Sequence, residues 1–205
     1  MANCIHHYGI VILAAGKSSR LGSPKQLLPY MGGTLLRHSV QEAIDVDCGP
    51  VLVVTGANGE EVKDTVKGLS VEIAENGGWD EGMASSLRVG LHQMLKSHPD
   101  TDGIIFMVCD QPFVTKSVLL CLIETQVKEG KAVTAAGYGG KSGTPALFHK
   151  SFFDRLMELK GDKGARMLIA SYPEDVCIVP FEEGALDIDT TEDYARLINL
   201  QNEKQ

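Results

Sequence analysis

The chain has no apolar run long enough to cross a bilayer and no signal-peptide core near its N-terminus, so neither a membrane-spanning nor a secreted protein is expected. Paired cysteines are lacking too. The five present, Cys4, Cys48, Cys109, Cys121 and Cys177, are scattered, odd in number and never spaced C-x-x-C. That pattern points to reduced thiols in a cytoplasmic protein, away from a disulfide framework or a zinc site. Basic charge is scarce: 27 acidic against 19 basic side chains leave a net charge of −8. The balance disfavours nonspecific nucleic-acid binding or docking on an anionic membrane. No repeat, low-complexity tract or linker interrupts the chain. His38, His92, His98 and His149 have no spacing that suggests a nucleophilic triad, and His6-His7 reads as a solvated pair. Two common phosphate fingerprints are also missing. A P-loop needs G-x-x-x-x-G-K-S/T, but Gly16 and Gly22 are six apart and Ser23 stands where lysine is required. The dinucleotide pattern G-x-G-x-x-G does not occur.

What is present is an ordinary globular composition, 43% hydrophobic and 22% charged over 205 residues, enough for one domain, 1–205, with a full core. Apolar runs predict strands at Tyr8–Ala14, Val51–Thr55, Val71–Ala74, Gly103–Val108 and Ala132–Ala135. Between them, helical spacing links Leu36, Val40, Ala43 and Ile44, then Met83, Leu87, Leu91, Met94 and Leu95, then the stretch Thr115–Val127. Strands alternating with helices predict an α/β fold of three layers, α/β/α, on a mostly parallel sheet. The rhythm changes near Gly137. Gly139–Gly143 reads as a loop and Pro145–His149 as a strand outside the alternation, so the sheet is expected to be mixed. Short helices near Phe152–Leu159 and Ala165–Ser171, a strand Val176–Pro180 and a helix Thr191–Leu200 complete the chain. A nucleotide-binding half (about 1–136) and an acceptor half (about 137–205) are the expected organisation.

Four segments carry chemistry. Directly after the first strand, Leu13–Lys25 supplies two glycines, three serines, one arginine and two lysines. Exposed backbone N–H groups beside fixed cations suit a polyphosphate. Arg20 offers a planar fork and Lys25 a compact point charge, approached through the stiff Pro24. Asp110 ends the buried strand Ile104–Val108, where ligands gather in open α/β sheets; it reads either as a cation ligand or as a turn or helix cap. In Asp187-Ile188-Asp189 an extended backbone would turn both carboxylates the same way, with Thr190 or Thr191 capping the last helix. Asn76–Arg88, holding the only tryptophan, is either a ribose or phosphate contact at a helix start or a loop whose Trp79 is anchored in the core.

The pattern L-A-A-G-x-x-x-R-x-G-x-x-K, spanning Leu13 to Lys25, resembles the signature of nucleotidyltransferases with the GT-A-like fold. That family includes sugar-phosphate pyrophosphorylases and the molybdenum-cofactor nucleotidyltransferases. N-x-x-W-x-x-G-M-x-x-S-L from Asn76, G-x-P-x-L-F from Gly143 and G-D-K-G-A-R from Gly161 are similar to later motifs of the branch that contains CTP:molybdopterin cytidylyltransferase. The resemblance implies a GT-A-like fold and transfer of CMP from CTP to the phosphate of molybdopterin or molybdenum cofactor, with release of pyrophosphate. A molybdoenzyme of the xanthine dehydrogenase type is the implied downstream partner. Nucleotide contacts then fall on Leu13, Ala14, Ala15, Gly16, Lys25, Gly82, Ser85 and Ser86, and catalytic cations are Arg20 and Lys25. Mg²⁺ falls on Asp110 and Asp189, with Asp187 as the substitute second ligand. Acceptor contacts fall on Gly143, Pro145 and Lys163, the last of which read alone is a solvated cation. Ala15, where the guanylyltransferase branch typically has glycine, favours cytosine. The alternatives are a guanylyl or other NTP transferase of the same fold, or a noncatalytic chaperone for molybdenum cofactor.

Overall fold

The computed structural model describes residues 7–18, 21–162 and 164–202. The first apolar run forms β1 (Tyr8–Ala14), with all seven residues buried. A small hairpin, β2 (Pro29–Tyr30) and β3 (Gly33–Thr34), leads into α1 (Leu35–Asp45), whose first turn is capped by Thr34 accepting the N–H of Arg37. There follow β4 (Val51–Thr55), α2 (Gly59–Thr65), β5 (Glu72–Glu75), α3 (Met83–Ser97), β6 (Gly103–Val108) and α4 (Lys116–Glu129). The C-terminal part holds β7 (Val133–Tyr138), β8 (Lys141–His149), α5 (Phe153–Met157), α6 (Ala165–Ser171), β9 (Val176–Pro180) and α7 (Thr191–Asn202).

One seven-stranded sheet runs in the order β5-β4-β1-β6-β8-β7-β9. Only β8 is antiparallel to its neighbours, β6 and β7; every other adjacent pair is parallel. The mostly parallel, mixed sheet expected from the alternation is therefore the observed one. Side-chain alternation along the strands divides the core in two. Ile10, Ile12, Val53, Ile105 and Met107 pack against Leu36, Val40, Val62, Leu119 and Leu122 of α1, α2 and α4. Val11, Leu13, Val54, Ile104 and Phe106 pack against Leu87, Leu91, Leu156 and Leu168 of α3, α5 and α6. A third cluster, with Leu21, Tyr30, Leu35, Ile188 and Leu197, fastens α7 beside the small hairpin.

The segment expected as a loop is corrected. Gly139 and Gly140 have φ of 55° and 70°, the positive values a two-residue hairpin turn requires, and Tyr138 pairs with Lys141 across it. β8 thus begins at Lys141, inside the predicted loop. Its pairing with β7 slips between Ala135 and Ala136, so that Thr144 and Pro145 bulge out; Pro145 has no N–H to give the ladder.

Candidate active site

The loop after β1 is held from beneath by a residue that sequence reading did not single out. Gln26, buried, donates from Nε2 to the carbonyls of Ala14 (2.8 Å) and Gly16 (2.9 Å). The carbonyl between them, on Ala15, accepts the N–H of Ala57 at 3.2 Å. Three successive carbonyls are tied down, so the loop curls back on itself. Ser18, at φ 55°, accepts the Lys25 backbone N–H at 3.0 Å and sets the start of the short helical turn Lys25–Leu27. Nothing in composition or spacing marks Gln26, which follows Lys25 directly and precedes Leu27-Leu28. Arg20, expected to bind phosphate, lies outside the described residues, as does Lys163.

Lys25 reaches across the ends of β1 and β6. Its Nζ forms an ion pair with Asp110 Oδ2 and lies 3.2 Å from Asp189 Oδ1. The Lys25 and Asp110 side chains are 18% and 13% exposed, Asp189 36%. Burial favours the neutral amine, but the Asp110 carboxylate, with Asp189 behind it, outweighs burial and raises the Lys25 pKa. Asp110 lies in the turn that follows β6, where it pairs with Lys25 and lines the cavity described below. Its carbonyl accepts the N–H of Ile188 at 2.9 Å, which pins the Asp187–Asp189 segment to the end of β6. Ile188 is fully buried between the two aspartates. Thr190 is the helix cap: Asp193 takes its N–H at 2.9 Å and its hydroxyl at 2.8 Å, while Thr190 Oγ1 takes the Asp193 N–H at 3.2 Å. Asp193 also accepts from the Asp189 N–H at 3.3 Å, so the cap fixes Asp189 directly. Asp187 does not contact Lys25 by an ion pair. Burial first, and then the Asp110 charge, pushes its carboxyl up to about 6.

Among the described residues Asp110 Oδ1 is buried without a hydrogen-bond partner, a deficit of about 1–3 kcal/mol unless something binds there. The donor set is all oxygen, as a hard cation requires. Among the described residues no three His, Cys, Asp or Glu side chains converge to hold a metal. A cation here would take its other ligands from phosphate and water, which is the habit of Mg²⁺.

Beside this group lies a cavity of about 370 Å³. Leu13, Ala15, Gly16, Lys25, Gly82 and Ser86, all expected nucleotide contacts, line it together with Trp79, Met83, Asp110 and Asp162. Trp79 is half-buried in the cavity wall, not anchored in the core. Two residues expected to contact the nucleotide do not line the cavity. Ala14 points into the opposite core cluster. The Ser85 hydroxyl is committed within the wall, donating to Gly82 O and accepting from Asn76 Nδ2, both at 2.8 Å. Asn76, itself buried, also binds Ser86 Oγ at 3.0 Å and accepts the Gly78 N–H at 3.0 Å, so it braces the turn that enters α3. Gly82 sits at φ 104°, and any Cβ there would fall 2.5 Å from Asp162 Oδ1. That close approach docks the Gly161–Asp162 loop on α3, where Gly161 O accepts the Ala84 N–H at 3.0 Å. Arg88 closes the junction by donating to Leu159 O at 2.5 Å and pairing with Glu81 at 3.0 Å.

Gly143 and Pro145 do not line this cavity. They lie on β8 at its bulge and connect to the site through Gln111, the residue after Asp110. Gln111 Nε2 donates to Gly184 O at 2.9 Å and to the Tyr138 hydroxyl at 3.2 Å, and its Oε1 accepts from Thr144 at 3.3 Å.

The family model for a MobA-like NTP transferase domain matches residues 10–176. The chain is 28% identical to nicotine blue oxidoreductase of Paenarthrobacter nicotinovorans, over 92% of this chain and 95% of that protein. It is 29% identical to the purine catabolism protein PucB of Bacillus subtilis, over 90% and 92% of the two chains. Molybdenum cofactor cytidylyltransferase of Escherichia coli is 32% identical, but over only 43% of this chain and 46% of that protein. Among solved structures, an Rv0371c homologue from Mycobacterium sp. strain JC1 superposes with a TM-score of 0.83 at 33% identity, covering 97% of this chain and 98% of that one. Rv0371c of Mycobacterium tuberculosis in complex with manganese gives a TM-score of 0.77 at 30% identity, over 94% and 98% of the two chains.

Proposed function

The chain belongs to the MobA-like NTP transferase family, and from that premise we propose that it transfers CMP from CTP to the terminal phosphate of molybdopterin or molybdenum cofactor, releasing pyrophosphate. The observation that carries this reading is the convergence of Lys25, Asp110 and Asp189 at the edge of a cavity walled by the Leu13–Gly16 loop. An anhydride phosphorus attacked in line needs charge neutralised and little else, so positioning and electrostatics suffice. An oxygen of the acceptor phosphate bonds to the α-phosphorus of CTP, the bond from that phosphorus to its β-bridging oxygen breaks, and pyrophosphate leaves with the electron pair. Mg²⁺ held by Asp110 and Asp189 would supply charge neutralisation on the triphosphate; manganese in the related mycobacterial structure is consistent with a divalent ion. Lys25 then stabilises the negative charge that builds on the leaving pyrophosphate, with Arg20 as the second cation.

The base and ribose fall to the wall of Ala15, Trp79, Gly82 and Ser86. Ala15 lines the cavity, and a methyl in that wall leaves less room for a purine than glycine would. Gly143 and Pro145, joined to the site through Gln111, are assigned to the acceptor in this reading, with Lys163 as its cation. A molybdoenzyme of the xanthine dehydrogenase type would receive the product. No helix among the described residues is long and apolar enough to cross a membrane, and the proposed setting is the cytoplasm. The test is pyrophosphate release from each of the four NTPs, with and without molybdopterin. Release with CTP that depends on molybdopterin supports the reading. Equal release with GTP leaves only an NTP transferase of wider specificity, and none with any NTP turns attention to the oxidoreductase activity in the name of the Paenarthrobacter nicotinovorans relative.

A further inference from the structure

Lys25 occupies the position in which a divalent cation would be attracted to the same carboxylates. Its ammonium touches Asp110 Oδ2 and Asp189 Oδ1 together, and the Asp110 oxygen left to a metal is the buried Oδ1, which has no partner among the described residues. We propose that Lys25 is a displaceable counter-ion: in the nucleotide-free protein it neutralises Asp110 and Asp189 and weakens metal binding there, and an arriving triphosphate draws it away. The inference rests on the reading of Asp110 and Asp189 as the metal carboxylates.

The physical case has three parts. An ammonium and a divalent cation sharing two carboxylates repel each other, and low solvent exposure leaves that repulsion poorly screened. The lysine backbone is fixed, by Ser18 on its N–H and by the Gln26 clamp on the next residue. Its flexible four-carbon stem is therefore the part free to swing. The cavity it would swing toward is the one it already borders, beside Gly16 and Ser86. A triphosphate offers the ammonium several negative oxygens in exchange for two carboxylates. The released carboxylates then face the metal that the triphosphate brings. By linkage, nucleotide and metal strengthen each other's binding by the same factor.

The test measures Mn²⁺ binding to the free protein, by the electron paramagnetic resonance signal of unbound Mn²⁺. Lys25→Met keeps the stem and removes the charge. It should bind Mn²⁺ at least about fivefold more tightly than the wild type, the lower edge of ordinary site-to-site coupling. Adding Asp110→Asn should cancel the gain. Lys17→Met serves as the control, because Lys17 borders the same cavity without an ion pair to either carboxylate. Unchanged or weaker Mn²⁺ binding by Lys25→Met overturns the counter-ion, and so does an equal gain from Lys17→Met, which would mark a general field effect. A circular dichroism spectrum checks the fold of each variant, and Lys25→Gln repeats the comparison if the methionine variant is unfolded. The two readings fail separately. If Mn²⁺–CTP binding still depends on Asp110 while Lys25→Met gains nothing, the metal site stands and the counter-ion falls. If Asp110→Asn and Asp189→Asn leave Mn²⁺–CTP binding unchanged, the metal site falls and takes the counter-ion with it.

Discussion

At the scale of single residues, the site is a small electrostatic problem whose terms differ in worth. The Lys25–Asp110 pair adds little net stability, because desolvating both groups offsets their attraction. Its value lies in a fixed cation next to the cavity. Lys25→Ala is therefore expected to lower kcat and kcat/KM together, by on the order of 10²–10³, as loss of a positioned charge-stabilising group does. Steady-state kinetics with CTP checks this, and a change confined to KM would make Lys25 a ground-state binder only. The two late aspartates should separate. Asp189 touches Lys25 and is oriented by the Asp193 cap, whereas Asp187 is half a step removed and linked to Gln111. Asp189→Ala should raise the Mg²⁺ concentration needed for half-maximal rate more than Asp187→Ala does, in a metal titration at saturating nucleotide. Lys25, Asp110 and Asp189 were singled out in the sequence by their resemblance to the family motifs, since the residues alone left Asp110 open between a cation ligand and a cap or turn. Gln26 and Gln111 were not. Amide hydrogen bonds to backbone carbonyls are made across 10 to 73 positions of chain and leave no spacing to read.

At the scale of elements, strands buried on both faces announced themselves as continuous apolar runs, and β1, β4 and β6 coincide with their sequence readings. The turn into α3 did not. Its shape depends on Asn76 side-chain bonds and on Gly82 at positive φ meeting a loop about 80 residues later, a contact between segments that periodicity does not see. The Gly139-Gly140 hairpin was readable in principle from its glycine pair, but the polar residues after it resemble an ordinary loop. Arg88 joins the turn into α3 to the 159–162 loop, and its effect should fall on the cavity more than on stability. Arg88→Met removes the bond to Leu159 O and the Glu81 pair. Arg88 is 27% exposed and Glu81 63%, so the expected cost is only about 1 kcal/mol. KM for the nucleotide should nonetheless rise severalfold while kcat changes less, since the 159–162 loop is no longer held against Gly82. Equal melting loss and unchanged KM would reduce Arg88 to a surface contact.

At the scale of the whole molecule, the sheet separates two cores that do different work for the site. Both faces of β1 are closed, but of the α-helices packed on the sheet α3 alone, among the described residues, lends side chains (Met83, Ser86) to the cavity wall; α4 packs on the other face, behind the strand that leads to Asp110. This asymmetry gives a prediction that the packing of either face alone would not. Leu91 on α3 and Leu122 on α4 are each fully buried, so truncating either to alanine should cost about 2–5 kcal/mol. Stability alone should not tell them apart. Function should, because a cavity beneath α3 lets its N-terminal turn, with Gly82 and Ser86, shift relative to the loop held by Gln26. Leu91→Ala is expected to raise KM for CTP at a temperature where both variants remain folded, and Leu122→Ala to leave it close to wild type. Chemical denaturation sets the stability loss of each variant, and nucleotide titration measures the functional one. A parallel rise in KM for both would mean that strain crosses the sheet freely, and that the wall is positioned by the fold as a whole and not by the layer on its own side.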